Sequence, residues 1–549
     1  MKHFIGVDVG TASVRAAVVD CKGNIIATST EEIKIWNPKA DFYEQSSHDI
    51  WKAVIKTVRG AVDKSGVGKE SVSGIGFDGT CSLVVLDKDC KPLSVSQTGL
   101  AECNIVMWMD HRAAEQASVI NSTKHDVLQY VGGKMSLEME PPKLLWLKQN
   151  LKDHCWDKAE QFFDLPDFLT WKATGSMSRS QCSLVCKCGY TATSKEHGWD
   201  DSFMTSIGLQ DLIENEYVKI GQEVRKPGEP CGNGLSEEAA AELGLLPATP
   251  VSTSIIDAHA GAIGCLGCQP THLSVEGSEV TGHLVLICGT STCHMVLSAQ
   301  PVFVPGVWGP YYSTMIPGYW NNEGGQSATG KLIDFVVENH SAFTEASELA
   351  SKRGMHIHDY LNYVLNNMAV SRGRQSVSEL TEDLHVWPDY HGNRSPLADP
   401  TLKGMVCGLT LLASVESLAL LYLATVQALA YGTRHILDKM NDSGHKISAV
   451  YICGGLRKNE LFVKTNADVI GLPIILPDTS ETVLLGSAIL GACASHTFAS
   501  TEEALKQMGG QGTAISPNDY VKRFHDKKYK VFLKMLEHQK EYQTIMAST

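Results

Sequence analysis

The stretch FIGVDVGTASVRAAVVD, Phe4 to Asp20, decides how this chain is read. It predicts strand, tight turn, strand. Its first half is mostly apolar, yet Asp8 sits within it. A carboxylate in a buried strand has to be paired, neutralised or bound to a cation. The turn at Gly10-Thr11, with Ser13 beside it, gathers N–H groups and hydroxyls into one concavity. Such a turn suits phosphate oxygens, and equally it can be an ordinary hairpin. A carboxylate next to a phosphate site fits Mg2+, which takes one or two carboxylates with phosphate oxygens and water.

The same pattern returns in HLVLICGTSTCHMVLSA, His283 to Ala299. Aligned on the turn, Gly10-Thr11 matches Gly289-Thr290, Ser13 matches Thr292, and Asp8 matches Ile287. This weak repeat predicts two domains, each offering a hairpin turn, with the carboxylate in the first alone. A chain of 549 residues has room for two sizeable domains. The boundary is expected between about Gly261 and Leu284, giving residues 1–265 and 266–549. Strands alternating with helices make both domains α/β.

Composition narrows the class. With 43% hydrophobic and 20% charged residues the chain is globular rather than disordered. A net charge of −14 without a Lys/Arg run argues against nucleic acid and anionic membrane as partners. A phosphorylated ligand stays compatible, because backbone donors hold phosphate. The cysteines are scattered through apolar runs, which favours buried, reduced thiols over a disulfide scaffold. No signal peptide is seen ahead of the first strand, so a cytoplasmic protein is expected. LLASVESLALLYLATVQALAYG, Leu411 to Gly432, is interrupted by Glu416 and Gln427 and predicts a buried core helix rather than a membrane span. A C-terminal helix is expected over about Tyr520 to Met546, able to serve as a homodimer interface or a cap.

Three further segments carry chemistry. In SIIDAHAGAIG, Asp257 ends a strand and opens a small-residue helix. A carboxylate there can cap the helix or act as general base toward a hydroxyl attacking a γ-phosphoryl group. Gly454-Gly455 in YICGGLRKNELF lets a flat ring or a phosphate approach the backbone, or simply makes a tight strand–helix turn. Lys187 in CSLVCKCGY is expected to snorkel or to serve a ligand. Glu323 is expected in a loop rich in Asn and Gly. Asp78, Thr80 and Cys81 in FDGTCSLVV and Asp110, His111 and Arg112 in MWMDHRA add hydrogen-bonding groups of the kind a polyol pocket needs.

Some motifs are set aside. GQSATGKL, Gly325 to Leu332, has P-loop spacing, but Leu332 stands where Mg2+ needs a hydroxyl, and no clear strand precedes it. Cys265-Leu-Gly-Cys268 has no second pair at zinc spacing, so buried free thiols are expected. No G-x-G-x-x-G follows a strand.

Taken together, GVDVGTASVRAAVVD, FDGTCSLVVLD, MWMDHRA, DLPDFLTWKATG, CKCGY, IDAHAG, CGTST, EGGQSATG, HGNRSPLADP and YICGGLRKNELF resemble the FGGY carbohydrate kinases along nearly the whole chain. Within that family they look most like the ribulokinase branch of the eukaryotic D-ribulokinase type. The resemblance implies two ribonuclease H-like domains of the actin/Hsp70 ATPase type flanking a cleft. It also implies ATP and Mg2+ as cofactors. Asp257 would then be the catalytic base and Asp8 the Mg2+ ligand. Gly10, Thr11, Ser13, Gly289, Thr290 and Ser291 would hold phosphates. Gly325, Gln326, Gly454, Gly455 and Asn459 would lie along the nucleotide. Thr80, Cys81, Lys187, Asp257 and Glu323 would contact the sugar, with Cys81 placed to tune sugar choice. The implied activity is phosphorylation of D-ribulose to D-ribulose 5-phosphate. The alternatives are L-ribulose, D-xylulose or ribitol as substrate, or an inactive sugar or nucleotide sensor.

Overall fold

The computed structural model describes residues 2–271 and 280–547. β1 (His3–Val9) and β2 (Ser13–Asp20) form the expected hairpin. β3 (Ile25–Glu32) pairs with β2 beyond the Lys22-Gly23-Asn24 turn. β1 is buried on both faces, whereas β3 alternates as a half-covered edge strand should. α1 (Ser47–Ser65) packs on β2 and β3. The Ser46 hydroxyl caps its start, and left-handed Gly66 ends it. β4 (Val72–Gly79) runs parallel to β1, and the short β5 (Ile255–Ile256) parallel to β4. The first sheet therefore has the order β5-β4-β1-β2-β3. α2 (Asp257–Leu266) leaves directly from β5.

The second half repeats this plan. β6 (His283–Cys288) and β7 (Thr292–Ser298) form the second hairpin, followed by β8 (Trp308–Tyr312) and β9 (Trp320–Gln326). The apolar stretch becomes α3 (Val415–Asp442), packed against its own domain, with 72% of its most apolar window buried. After it come β10 (Ala449–Cys453), α4 (Glu460–Ile470), β11 (Ile474–Pro477), α5 (Thr482–Ala494), β12 (Gln511–Ile515) and α6 (Asp519–Ala547). The core order β11-β10-β6-β7-β9 matches the first sheet strand for strand, with the same parallel and antiparallel neighbours. β12 and the bridge strand Gln269–Pro270 extend one edge, and β8 extends the other. The boundary expected between Gly261 and Leu284 spans residues 272–279, which lie outside the described residues. Sheet pairing assigns Gln269–Pro270 to the second half. α6 caps its own chain: Tyr529, Phe532, Met535 and Leu536 pack with Trp387 and Tyr431.

The two halves meet through α2 and α5. α5 lies on β1 and β4 of the first sheet, α2 on β6 and β10 of the second, and the helices cross each other. Glycine sets the spacing. A Cβ at Gly6 would lie 2.0 Å from the Leu484 carbonyl oxygen, and one at Gly76 2.0 Å from that of Ser487. At the helix crossing a Cβ on Gly264 would lie 1.9 Å from the Thr482 oxygen, and one on Gly486 1.9 Å from the Ala260 oxygen. No side chain fits these contacts without moving backbone.

The sequence reading of Glu323 and of the P-loop-like segment needs correction. Trp320–Gln326 is a buried strand inside the second sheet, paired with both β7 and β8. Its Asn and Gly content suggested a loop, but here the Asn side chains are hydrogen-bonded inside. GQSATGKL therefore does follow a strand. Its backbone is spent elsewhere: the N–H groups of Thr329, Gly330 and Lys331 donate to the carbonyls of Thr290, Gly289 and Thr290, and so buttress the second hairpin turn. Leu332 points into the core.

Gly486→Ala is expected to lower stability by about 1–3 kcal/mol through overpacking. Denaturant unfolding measures this, and an unchanged midpoint would show that the crossing is loosely packed.

Candidate active site

Three carboxylates gather at the carboxyl ends of the parallel strands, the usual ligand edge of an α/β sheet. Asp8 on β1 is the register partner of Asp78 on β4, and Asp78 is partnered by Ile255 on β5, just ahead of Asp257. Asp78 is fully buried. Burial, and then the neighbouring charge of Asp8, push its carboxyl well above the usual range. Ser487 on α5 donates a hydrogen bond to one of its oxygens, while Oδ1 has no partner. Asp257 is raised to about 6, first by burial and then by Asp8. Its Oδ1 accepts the Ala258 N–H at 2.7 Å, but Asp257 is the first helical residue and the cap position is Ile256, so the capping reading is not met, and the side chain stays partly open.

Asp8 has a partner the sequence reading did not name. Arg15, directly across the hairpin, donates through Nε to Asp8 Oδ2 at 2.9 Å and reaches Glu481 at 2.8 Å through Nη1. Protein charge therefore already compensates Asp8. The other oxygen, Oδ1, faces the Gly10 turn. The Asp8 carboxylate and the orphaned Asp78 Oδ1 beside it are oxygen donors of the kind a hard divalent cation such as Mg2+ takes, although Asp8, Asp78 and Asp257 do not form a closed three-ligand cluster among the described residues.

Both turns are at least partly exposed, but they are not identical. Val9 pairs with Val14 around the first and Cys288 with Thr292 around the second, so the first turn is one residue longer. Ser13 is thus not the counterpart of Thr292, which pairs across β6. Gly10 N–H donates to Ser13 O at 3.0 Å, and Gly289 N–H to Ser291 O at 2.8 Å. Thr11 is fixed by Trp108 Nε1 on its hydroxyl and Gln45 Nε2 on its carbonyl.

A second cluster lies deeper. Lys187 sits in the π-helical turn Leu184–Cys188, fully inside rather than snorkelling. Its Nζ is 3.8 Å from Glu323 Oε2 and 4.4 Å from the centre of the Trp308 ring. Burial opposes its charge, but Cys81, Glu323 and Glu138 more than offset this and raise its pKa. Arg394, from HGNRSPLADP, donates to Glu323 Oε1 at 2.6 Å, stacks over Trp308 and faces Glu138 at 3.7 Å. Burial would raise Glu323, yet Lys187 and then Arg394 hold it below the usual carboxylate range. Its Oε2 stays without a hydrogen bond, 4.0 Å from His259 Nε2. Cys81 is buried nearby, its thiol pushed up by burial and opposed by the charge of Lys187. The Thr80 hydroxyl is 3.2 Å from that of Ser82.

The structure thus links Asp8 to Asp257, Asp257 to Lys187, and Lys187 to Cys81 and Glu323 by the fields each exerts on the next. The remaining positions are less free. Gly454 lies against the Cys288 backbone at the foot of the second hairpin, with a positive φ of 84° that favours glycine. Gly455 is exposed. Asn459 is buried, capping α4 and donating to Tyr422 at 2.7 Å. Gln326 donates to the Leu429 carbonyl of α3, and Gly325 backs onto Arg394. Sequence reasoning gave no role to Arg15, His259, Trp308 or Arg394, and it offered Asp78 as a polyol-pocket group, whereas the fold buries it beside Asp8 with Ser487 as its donor. The signal for Arg15 was available: in a hairpin whose turn spans residues 10–13, position 8 faces position 15.

Residues 3–264 match the model for the "FGGY family of carbohydrate kinases, N-terminal domain" and 284–495 that for its C-terminal domain. An FGGY carbohydrate kinase domain-containing protein of Xenopus laevis is 57% identical, over 99% of this chain and 98% of its own length. A Saccharomyces cerevisiae D-ribulokinase is 42% identical over 96% of this chain and 76% of its own length. Among solved structures, a Rhodospirillum rubrum xylulose kinase superposes with TM-score 0.79 at 17% identity, covering 98% and 99% of the two chains. A Plasmodium falciparum glycerol kinase with ADP gives 0.73 at 16%, covering 98% of each. The chain belongs to the FGGY family of carbohydrate kinases, and its fold is that of these actin/Hsp70-like sugar kinases.

Arg394→Met should destabilise the protein by about 1.5–3 kcal/mol, because it strips a buried carboxylate of its strongest donor. Arg15→Met, at a partly open pair, should cost less. Equal losses in denaturant melts would contradict this ranking.

Proposed function

We propose that the protein is an ATP-dependent pentulose kinase that converts D-ribulose to D-ribulose 5-phosphate in the cytoplasm. One observation carries the kinase part of this reading. A carboxylate with its pKa near 6, Asp257, stands between a carboxylate-and-turn site suited to phosphate and a buried Lys187–Glu323–Arg394 cluster suited to hydroxyl groups. The identity to a D-ribulokinase along almost the whole chain supports the choice of sugar. The ADP named with the glycerol kinase of the same fold supports ATP as donor.

The roles follow from chemistry. Lys187 donates to sugar oxygens, and the free Glu323 Oε2 accepts from a hydroxyl while Arg394 holds the carboxylate in place. Asp257 accepts the proton of the primary hydroxyl as its oxygen bonds to the γ-phosphorus. The turns at Gly10–Ser13 and Gly289–Ser291 hold phosphate oxygens. Asp8, with Asp78 beside it, would hold Mg2+, which supplies neutralisation of phosphate charge. Positioning and charge stabilisation do most of the work in phosphoryl transfer.

Purified protein with MgATP should release ADP in the presence of D-ribulose, read by a coupled assay. A clear preference for L-ribulose, D-xylulose or ribitol would overturn the sugar assignment. Stimulation by none of them would favour a sensor.

Asp257→Asn should lower kcat by about 10²–10⁴-fold with nucleotide affinity retained in calorimetry. Retained turnover would remove Asp257 from the base role.

The pH profile has a definite sign. The base is active when deprotonated, and its pKa is raised to about 6, so kcat/KM should climb as pH rises through about 6 and level off above it. A profile already flat from pH 5 would place the base elsewhere.

A further inference from the structure

Behind the sugar cluster, three soft donors meet that phosphoryl transfer does not use. Cys182 lies in the short helical turn Gln181–Ser183, which runs straight into the Leu184–Cys188 turn carrying Cys186. Four residues of helical chain put both thiols on one side. His259 enters from α2. One ligating atom from each lies within 4.8 Å of the others, and Cys186 Sγ is 3.8 Å from His259 Nε2. All three side chains are fully buried. With Zn–S of about 2.3 Å and Zn–N of about 2.0–2.1 Å, a tetrahedral site spaces its donor atoms by about 3.4–3.8 Å. The sulfur–nitrogen edge already has that length, and the longest gap closes with a shift of about 1 Å.

A second observation points the same way. His259 Nδ1 and Asn321 Oδ1 are buried without partners, although Asn321 Nδ2 lies 3.1 Å from His259 Nε2. The polar interior here is incompletely satisfied, as at a place built for a ligand. The Cys265–Cys268 pair weighed from the sequence has no such third donor among the described residues.

We propose that Cys182, Cys186 and His259 form a binding site for a thiophilic divalent cation of the zinc class, with a fourth position open. Two thiolates and an imidazole suit such an ion and not Mg2+. Metal–sulfur bonds form as the thiol protons leave to solvent. Lys187 adjoins Cys186 and Asp257 is two residues from His259, so an occupied site ties the sugar-facing turn to the helix that carries Asp257.

The test uses the full chain, stripped with chelator, kept reduced and titrated with Co2+. The expected result is one cobalt per chain with sulfur-to-cobalt charge-transfer absorption, displaced by Zn2+. Cys182→Ser and Cys186→Ser should abolish the band, and Cys155→Ser, at a buried thiol elsewhere, should keep it. No band, or a band that survives both substitutions, overturns the site. If the variants do not fold, X-ray absorption on the zinc-loaded wild type decides. Two sulfurs and one nitrogen uphold the proposal, and a shell of oxygens or of more than two sulfurs overturns it. Both readouts are independent of turnover, so they stand whether or not the sugar assignment does.

Discussion

The approach of α5 to the first sheet and to α2 is the contact on which the rest of the molecule depends. Backbone meets backbone at Gly6, Gly76, Gly264 and Gly486, at distances no Cβ allows. The crossing places a helix from the second half of the chain on the sheet of the first, and the reverse. The two halves therefore meet through elements drawn from both, each packed on the sheet of the other. Ser487, on α5, reaches Asp78 for this reason. The domains cannot be treated as beads on a linker, because each completes the core of the other.

Charge then distinguishes two halves that share one topology. Opposite each other across the first hairpin stand Asp8 and Arg15, and across the second stand Ile287 and Cys293. The first half thus carries the carboxylates and the second supplies a turn of similar shape without them. In the deeper cluster one carboxylate, Glu323, is shared by Lys187 of the first half and Arg394 of the second. Burying one acid between two cations is costly unless each is hydrogen-bonded. Oε1 takes the Arg394 hydrogen bond, while Oε2 stands 3.8 Å from Lys187 Nζ without a hydrogen bond of its own.

Some of this was legible in the chain. The alternating apolar runs and the Gly-Thr turns marked both hairpins, and the interrupted apolar stretch marked α3 as a core helix. The duplicated turn suggested two domains before any contact was known. Glu323 was misread because Asn and Gly are loop formers in isolation, whereas a central strand can pair its Asn side chains internally. For Lys187 the sequence leaves snorkelling and a ligand role open; the fold removes the first, because Cys81, Glu138, Glu323 and the Trp308 ring hold its charge inside.

By itself the sequence determined much of the local conformation: the two hairpins, the turns that expose N–H groups, and the small-residue and apolar helices. These follow from short-range sterics and hydrophobic period. Only the tertiary structure decided what the charges do. Asp8 and Asp78 are partners through parallel register, and Asp8 and Arg15 through antiparallel register. Glu323, Lys187, His259 and Arg394 converge from positions up to 207 residues apart. The free energy of a buried charge depends on everything within a few ångströms, and that neighbourhood is set by packing rather than by order along the chain.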